Sequence, residues 1–93
     1  MQGNKTLVNA PEDKVFWVHD GPKLRNLVDL RDLLQGLKES MFKFHVSEAK
    51  NDFANWINDV LGEAELAKKL RKIKSKRYTF KALNNYLVDH FGV

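Results

Sequence analysis

The sequence has no cysteine among its 93 residues, which excludes disulfide bonds and thiolate metal ligands. Such a composition is typical of a reducing compartment. No apolar run approaches the roughly 20 residues of a membrane-spanning helix, and the first residues lack the apolar stretch of a signal peptide. We therefore expect a cytoplasmic protein with no membrane partner.

Motifs of catalysis are also missing. Gly21, Gly36 and Gly62 are isolated, so the chain has no glycine-rich phosphate loop. No serine lies in a nucleophile motif. Asp29 and Asp32 fall on one face of a predicted helix, but acids near a helix start are explained by the helix dipole. We expect no catalytic residue, no cofactor and no enzymatic activity.

The three histidines, His19, His45 and His90, are far apart and none has a second ligand at helical spacing. A zinc site needs three or four converging ligands, so we expect no metal site. His45 lies among apolar residues, and a buried imidazole needs a hydrogen-bond partner. Asp52, seven residues later, is the candidate partner.

The clearest pattern in the chain is an amphipathic stretch over 51–62. Its apolar residues recur at helical spacing, and they are Phe53, Trp56, Ile57, Val60 and Leu61. Asn51 can cap the start, and Gly62 can take the left-handed conformation at the end. We predict a three-turn core helix here. The polar run 50–52 is interpreted as this cap, in preference to an anion site at a helix start.

A short hairpin is predicted before the helices. Residues 15–18 are β-branched and aromatic, residues 20–22 are a strong turn signal, and Lys23–Leu24 can pair beyond the turn. In a strand Phe16 and Trp17 face opposite ways. One of the two can therefore be exposed and mark an interaction patch.

The remaining apolar spacing predicts further helices. One covers 27–38 with Asn26 as its cap, a short piece follows Ser40, another covers 63–73, and Thr79 caps the last. We predict a mainly α fold, a single compact helical domain of about four helices with a short N-terminal β-arm, over residues 15–93 after a mobile leader at 1–14. The predicted core contains Leu30, Leu33, Phe44, Phe53, Trp56, Ile57, Val60, Leu66, Leu70, Leu83 and Leu87.

Positive charge is concentrated late in the chain. The net charge is +4, and residues 63–93 carry eight Lys or Arg against three Asp or Glu, a balance of +5. The candidate polyanion-binding residues form the basic segment, which consists of Lys68, Lys69, Arg71, Lys72, Lys74, Lys76, Arg77 and Tyr78. Lys68, Lys72 and Lys76 would form one row if the helix runs that far. The segment is either a solvated, solubilising helix end or a surface for DNA or RNA.

A resemblance to a small domain family of unknown function covers about residues 16–70. It rests on Phe44-His45-Val46, on the string from Lys50 to Ile57, on Asp59-Val60 with Gly62 and Leu66-Ala67, and upstream on Phe16, Asp20-Gly21, Leu27 and Leu30. Residues 71–93 are interpreted as particular to this chain. The resemblance implies a mostly helical module of archaea and bacteria, in some members attached to larger enzymes, and it carries over no catalytic residue.

Two functions from different classes stay open. The first is a non-enzymatic interaction or accessory module with an unknown protein partner, which follows from the missing catalytic motifs and from the resemblance. The alternative is sequence-tolerant binding of nucleic acid, or of another polyanion, by the basic segment.

Overall fold

A short hairpin followed by five α-helices makes up the fold. The computed structural model describes residues 5–93, in which a 3-10 turn at Glu12–Lys14 precedes strands β1 (Phe16–Trp17) and β2 (Lys23–Leu24). The helices are α1 (Leu27–Gly36), α2 (Glu39–His45), α3 (Asp52–Asp59), α4 (Ala64–Leu70) and α5 (Lys76–Phe91). The radius of gyration is 12.3 Å, as expected for a compact domain of this length. The prediction of a mainly α domain with a β-arm is confirmed, with five helices across the described residues.

The hairpin forms where the sequence predicts it. Phe16 pairs with Leu24 and Trp17 with Lys23 in antiparallel register. Asp20 adopts a positive φ of 55° in the turn, a conformation that aspartate tolerates better than most residues. A Cβ at Gly21 would lie 2.9 Å from the Val18 side chain, so the turn needs glycine.

Helix α3 packs on α4 with the face that the apolar spacing indicates. The side chains of Phe53, Trp56 and Ile57 are buried. The Asn51 Oδ1 accepts a hydrogen bond from the Ala54 amide at 3.0 Å, and Gly62 has a φ of +72°. The predicted cap and glycine turn are confirmed, but the regular helix has eight residues and therefore about two turns.

Three members of the predicted core are less buried than expected. Leu33 and Val60 are half-buried. Phe44 is 49% exposed, so the prediction that Phe44 lies in the core is wrong. Helix α2 buries Phe42 and His45. Residues two apart on a helix point about 200° apart, which places Phe44 on the outer side. The other predicted core residues are buried: Leu30, Phe53, Trp56, Ile57, Leu66, Leu70, Leu83 and Leu87.

The last two helices have different boundaries from those predicted. Helix α4 ends at Leu70 rather than near residue 73, and α5 begins at Lys76. The Ser75 hydroxyl caps α5 by accepting a hydrogen bond from the Tyr78 amide at 3.2 Å. The prediction that Thr79 is the cap is wrong, because Thr79 lies one turn inside the helix and is 1% exposed. Helix α5 packs against α1 and α4.

Residues 5–14 follow the surface of the helical domain. The Lys5 amide donates to the His90 carbonyl at 3.0 Å, and the Ala10 amide donates to the Arg25 carbonyl at 2.7 Å. The Trp56 Nε1 donates to the carbonyl of Lys14 at 2.9 Å. The division into a mobile leader at 1–14 and a domain at 15–93 stays a prediction, and residues 1–4 lie outside the described residues.

Replacing Trp56 tests the central packing. Trp56→Ala is expected to lower the free energy of unfolding by about 3–5 kcal/mol through loss of buried area and a residual cavity. The exposed Trp17 provides the control, since Trp17→Ala should change the free energy of unfolding by only about 0.5 kcal/mol. Urea denaturation followed by circular dichroism measures both variants. Similar losses for the two variants would contradict the placement of Trp56 in the core.

Replacing Thr79 tests a buried hydroxyl. Within residues 5–93, Thr79 Oγ1 is buried with no hydrogen-bond partner from the protein. Thr79→Val keeps the shape but removes the polar group, and we expect the free energy of unfolding to rise by about 1 kcal/mol. Thr79→Ser, which keeps the hydroxyl and removes the methyl group, should be less stable than the parent. A Thr79→Val variant that melts below the parent would contradict this description.

Candidate functional site

Two large aromatic side chains lie outside the core on the hairpin side of the molecule. Trp17 is 69% exposed and Phe44 is 49% exposed. The His19 ring stacks on Phe44 with centroids 3.9 Å apart. Trp17 lies two residues before His19 in the sequence, at the end of β1. We call Trp17, His19 and Phe44 the aromatic surface. The predicted exposure of one residue of the pair Phe16 and Trp17 is confirmed.

Lysines lie over both large rings of the aromatic surface. The Lys23 Nζ is 5.4 Å from the Trp17 ring centroid, and the Lys50 Nζ is 5.1 Å from that of Phe44. Cation–π contacts at exposed sites contribute about 0.5–1 kcal/mol each. The surface therefore combines apolar area with positive charge, and its lysines are partly positioned before any ligand arrives.

His45 supports the aromatic surface from beneath. Its Nε2 accepts a hydrogen bond from the His19 backbone amide at 3.0 Å, and its Nδ1 lies 3.0 Å from the Asp52 carboxylate. A backbone amide can only donate, so Nε2 is unprotonated and Nδ1 carries the hydrogen that Asp52 accepts. The predicted partnership of His45 and Asp52 is confirmed. Both ring nitrogens are engaged, so this imidazole has a structural role.

The Asp52 carboxylate is held in its ionised form. Burial raises its pKa, but hydrogen bonds from His45 and from Lys50, whose Nζ lies 3.0 Å away, outweigh burial. The net effect is a pKa below the ordinary value of 3.8. Asp52 thus joins the turn before α3 to α2 and, through His45, to the hairpin.

The basic segment is divided among three elements. Lys68 and Lys69 end α4, the turn after it carries Arg71, Lys72 and Lys74, and α5 begins with Lys76, Arg77 and Tyr78. Because α4 ends at Leu70, the continuous helical row of Lys68, Lys72 and Lys76 does not form. Lys76 is half-buried, and its Nζ donates to the Leu37 carbonyl at 2.6 Å, which ties α5 to the end of α1. The others in the segment are exposed.

The structure brings part of the basic segment to the turn before α3. A cleft of about 280 Å³ is lined by Lys50, Arg71 and Lys74, together with Glu48, Ala49, Asn51 and Asn55. We call it the cationic cleft. In the sequence the polar run 50–52 and the basic segment are separate features, and no pattern marks Asn55 as a candidate site residue. No local pattern indicates their meeting, because it depends on the packing of α3 against α4.

Other candidate ligands do not converge. Within residues 5–93, no three His, Cys, Asp or Glu side chains are grouped so that they could hold a metal ion. His90 lies against the Tyr86 ring, with centroids 4.3 Å apart. In the same described part of the chain, no helix has the length and apolar character needed to cross a membrane.

Comparison with known families gives one match. The sequence profile of a family of unknown function, DUF5752, matches residues 13–91. The chain belongs to this family. The match spans the hairpin and all five described helices, so the interpretation of residues 71–93 as particular to this chain is wrong as far as residue 91. Helix α5 supplies the buried side chains of Leu83 and Leu87, which makes it part of the domain core. No curated protein and no solved structure matches the chain.

The ion pair of Asp52 predicts a specific acid dependence. Folding lowers the pKa of Asp52, so the ionised Asp52 stabilises the folded protein at any pH above its pKa in the unfolded chain, about 4. This stabilisation is lost as the pH falls through the pKa of Asp52 in the folded protein. Asp52→Asn should lower the melting temperature at pH 7 and flatten its decline below about pH 4. Thermal melts followed by circular dichroism from pH 7 to pH 2 measure this. Asp59→Asn, on the exposed side of the same helix, is the matched control. If the melting temperature of Asp52→Asn declined in acid as steeply as that of the parent, the result would contradict the ion pair.

Proposed function

We propose that this protein is a non-enzymatic interaction module that binds another protein through the aromatic surface. The exposure of Trp17 and Phe44 carries the proposal. Aromatic side chains are enriched at protein interfaces and dominate their binding energy. In this proposal the module acts in the cytoplasm of an archaeal or bacterial host, as an accessory to a larger protein.

The surroundings of the aromatic surface favour a partner with apolar and acidic residues. Lys23 and Lys50 lie over the rings, and Lys43 is exposed one residue before Phe44. The hydrogen bond from the His19 amide to the buried His45 fixes the turn that carries the surface. A surface ordered in advance loses less conformational entropy on binding.

A capture experiment with matched variants tests this function. The tagged protein is used to capture partners from its native host, with mass spectrometry as the readout. The double variant Trp17→Ala and Phe44→Ala should recover about 10-fold less partner, because interface aromatics typically contribute 1 kcal/mol or more each. The control variant, Val88→Ala with Val93→Ala, removes exposed apolar groups at the far end of α5 and should recover as much as the parent. Equal recovery by the first variant and the parent would refute the proposed surface.

A second candidate is supported by the exposed part of the basic segment. Lys68, Lys69, Lys72 and Arg77 are exposed, and Tyr78, 56% exposed, is available to stack on an unpaired base. Nuclease treatment of the captured material separates the two candidates. Recovery that is abolished by nuclease and unaffected by the loss of Trp17 and Phe44 would favour nucleic-acid binding over the aromatic surface.

A further inference from the structure

We propose that the cationic cleft binds the phosphate group of a small phosphorylated molecule. The site goes beyond the proposed function, because neither Trp17 nor Phe44 lines it. Its three cations come from two distant parts of the sequence. Lys50 ends the turn before α3, whereas Arg71 and Lys74 follow α4.

Charge is the first argument for an anionic ligand. Three cations, Lys50, Arg71 and Lys74, line the same cleft, and Glu48 is the one carboxylate in its lining. Lys50 is also paired with Asp52, outside the lining, at 3.0 Å, so Arg71 and Lys74 carry most of the charge argument. Like charges that share a cleft repel one another, and a bound anion replaces this repulsion with attraction. The remaining polar lining, Asn51 and Asn55, is uncharged.

The framework of the cleft is ordered without a ligand. Asn51 is 6% exposed, and its Nδ2 donates to the Leu70 carbonyl at 3.1 Å, which fixes the start of α3 against the end of α4. The Arg71 Nη2 donates to Asn55 Oδ1 at 3.2 Å, and the Lys74 Nζ donates to the Arg71 carbonyl at 3.2 Å. The walls and two of the cations are therefore positioned before binding, which lowers its entropic cost.

Donors remain for a ligand after these internal bonds are made. A guanidinium has five N–H groups and an ammonium has three. The hydrogen bonds described above use one N–H group of the Arg71 side chain and one of the Lys74 side chain. The Asn55 amide accepts through its oxygen and so still offers its NH₂ group. A planar guanidinium fork matches the oxygen atoms of a phosphate and can bind two of them at once.

The size of the cleft favours a small ligand over a polymer. Its volume of about 280 Å³ is near the lower end of small-molecule pockets, about 300 Å³. Lys68 and Lys72 are exposed but lie outside the lining. The cleft thus fits one phosphate group with a small substituent, whereas a nucleic acid would engage the wider basic segment.

NMR titration of the ¹⁵N-labelled full chain tests the site. Inorganic phosphate and glycerol 3-phosphate are the probes, with sodium chloride at matched ionic strength as the reference. We expect saturable shifts confined to the amides of 48–55 and 71–74. The variant Arg71→Gln with Lys74→Gln should weaken binding about 10-fold or more, because hydrogen bonds to charged groups are lost.

Matched variants keep this test separate from that of the proposed function. Lys68→Gln with Lys72→Gln removes the same charge outside the cleft and should leave phosphate binding unchanged. Lys74→Gln alone preserves the bond between Arg71 and Asn55, and it replaces the double variant if that variant unfolds. The partner capture by the aromatic surface should be unchanged in all three variants.

Three results would overturn the phosphate site. These are shifts that chloride reproduces, equal weakening by the cleft and control variants, and shifts that do not saturate. A single-stranded oligonucleotide without a terminal phosphate is the last probe. Tight binding of this probe that depends on Lys68 and Lys72, without saturable phosphate binding, would replace the cleft with general polyanion binding by the basic segment.

Discussion

The buried amide of Asn51 makes two hydrogen bonds where α3 meets α4. Its oxygen accepts from the Ala54 amide and so caps α3, while its nitrogen donates to the Leu70 carbonyl at the end of α4. A buried amide left without partners would cost about 1–3 kcal/mol, so both helix ends must hold this relative position. The apolar faces of the two helices then pack in the one register that satisfies the amide.

The neighbouring residues extend this constraint in two directions. Asp52 accepts from His45, which in turn accepts from the His19 amide, so the start of α3 also holds the hairpin turn and the aromatic surface. On the other side, the bond from Asn51 to Leu70 brings the turn after α4 beside Lys50 and forms the cationic cleft. Lys50 contributes to both surfaces, since its ammonium lies over Phe44 and its side chain lines the cleft.

Helix α5 shows why the domain extends beyond the densest sequence pattern. Leu83 and Leu87 are fully buried, and Lys76 donates to the carbonyl at the end of α1. The α1 and α4 faces against which it packs would otherwise expose their apolar side chains. The family match through residue 91 agrees with this dependence of the core on α5.

Local patterns alone determined the element types, the caps at Asn26 and Asn51, and most of the core. Helical spacing of apolar residues and the geometry of a capping side chain involve only residues within a few positions of one another. The partnership of His45 with Asp52 was also predictable, because a buried imidazole needs a partner and a carboxylate lies nearby in the sequence. Such features are preserved whatever the tertiary arrangement.

Only the tertiary structure decided which side of α2 faces outward, where α4 ends, and which cations meet in the cleft. Helix α2 is so dense in apolar residues that its sequence does not distinguish Phe42 from Phe44. In the structure Phe42 packs near Phe53 of α3, with ring centroids 6.2 Å apart, whereas Phe44 stacks on His19 at the surface. The meeting of Lys50 with Arg71 joins residues 21 positions apart. It follows from the hydrogen bonding and packing of α3 on α4, which no local pattern in the sequence records.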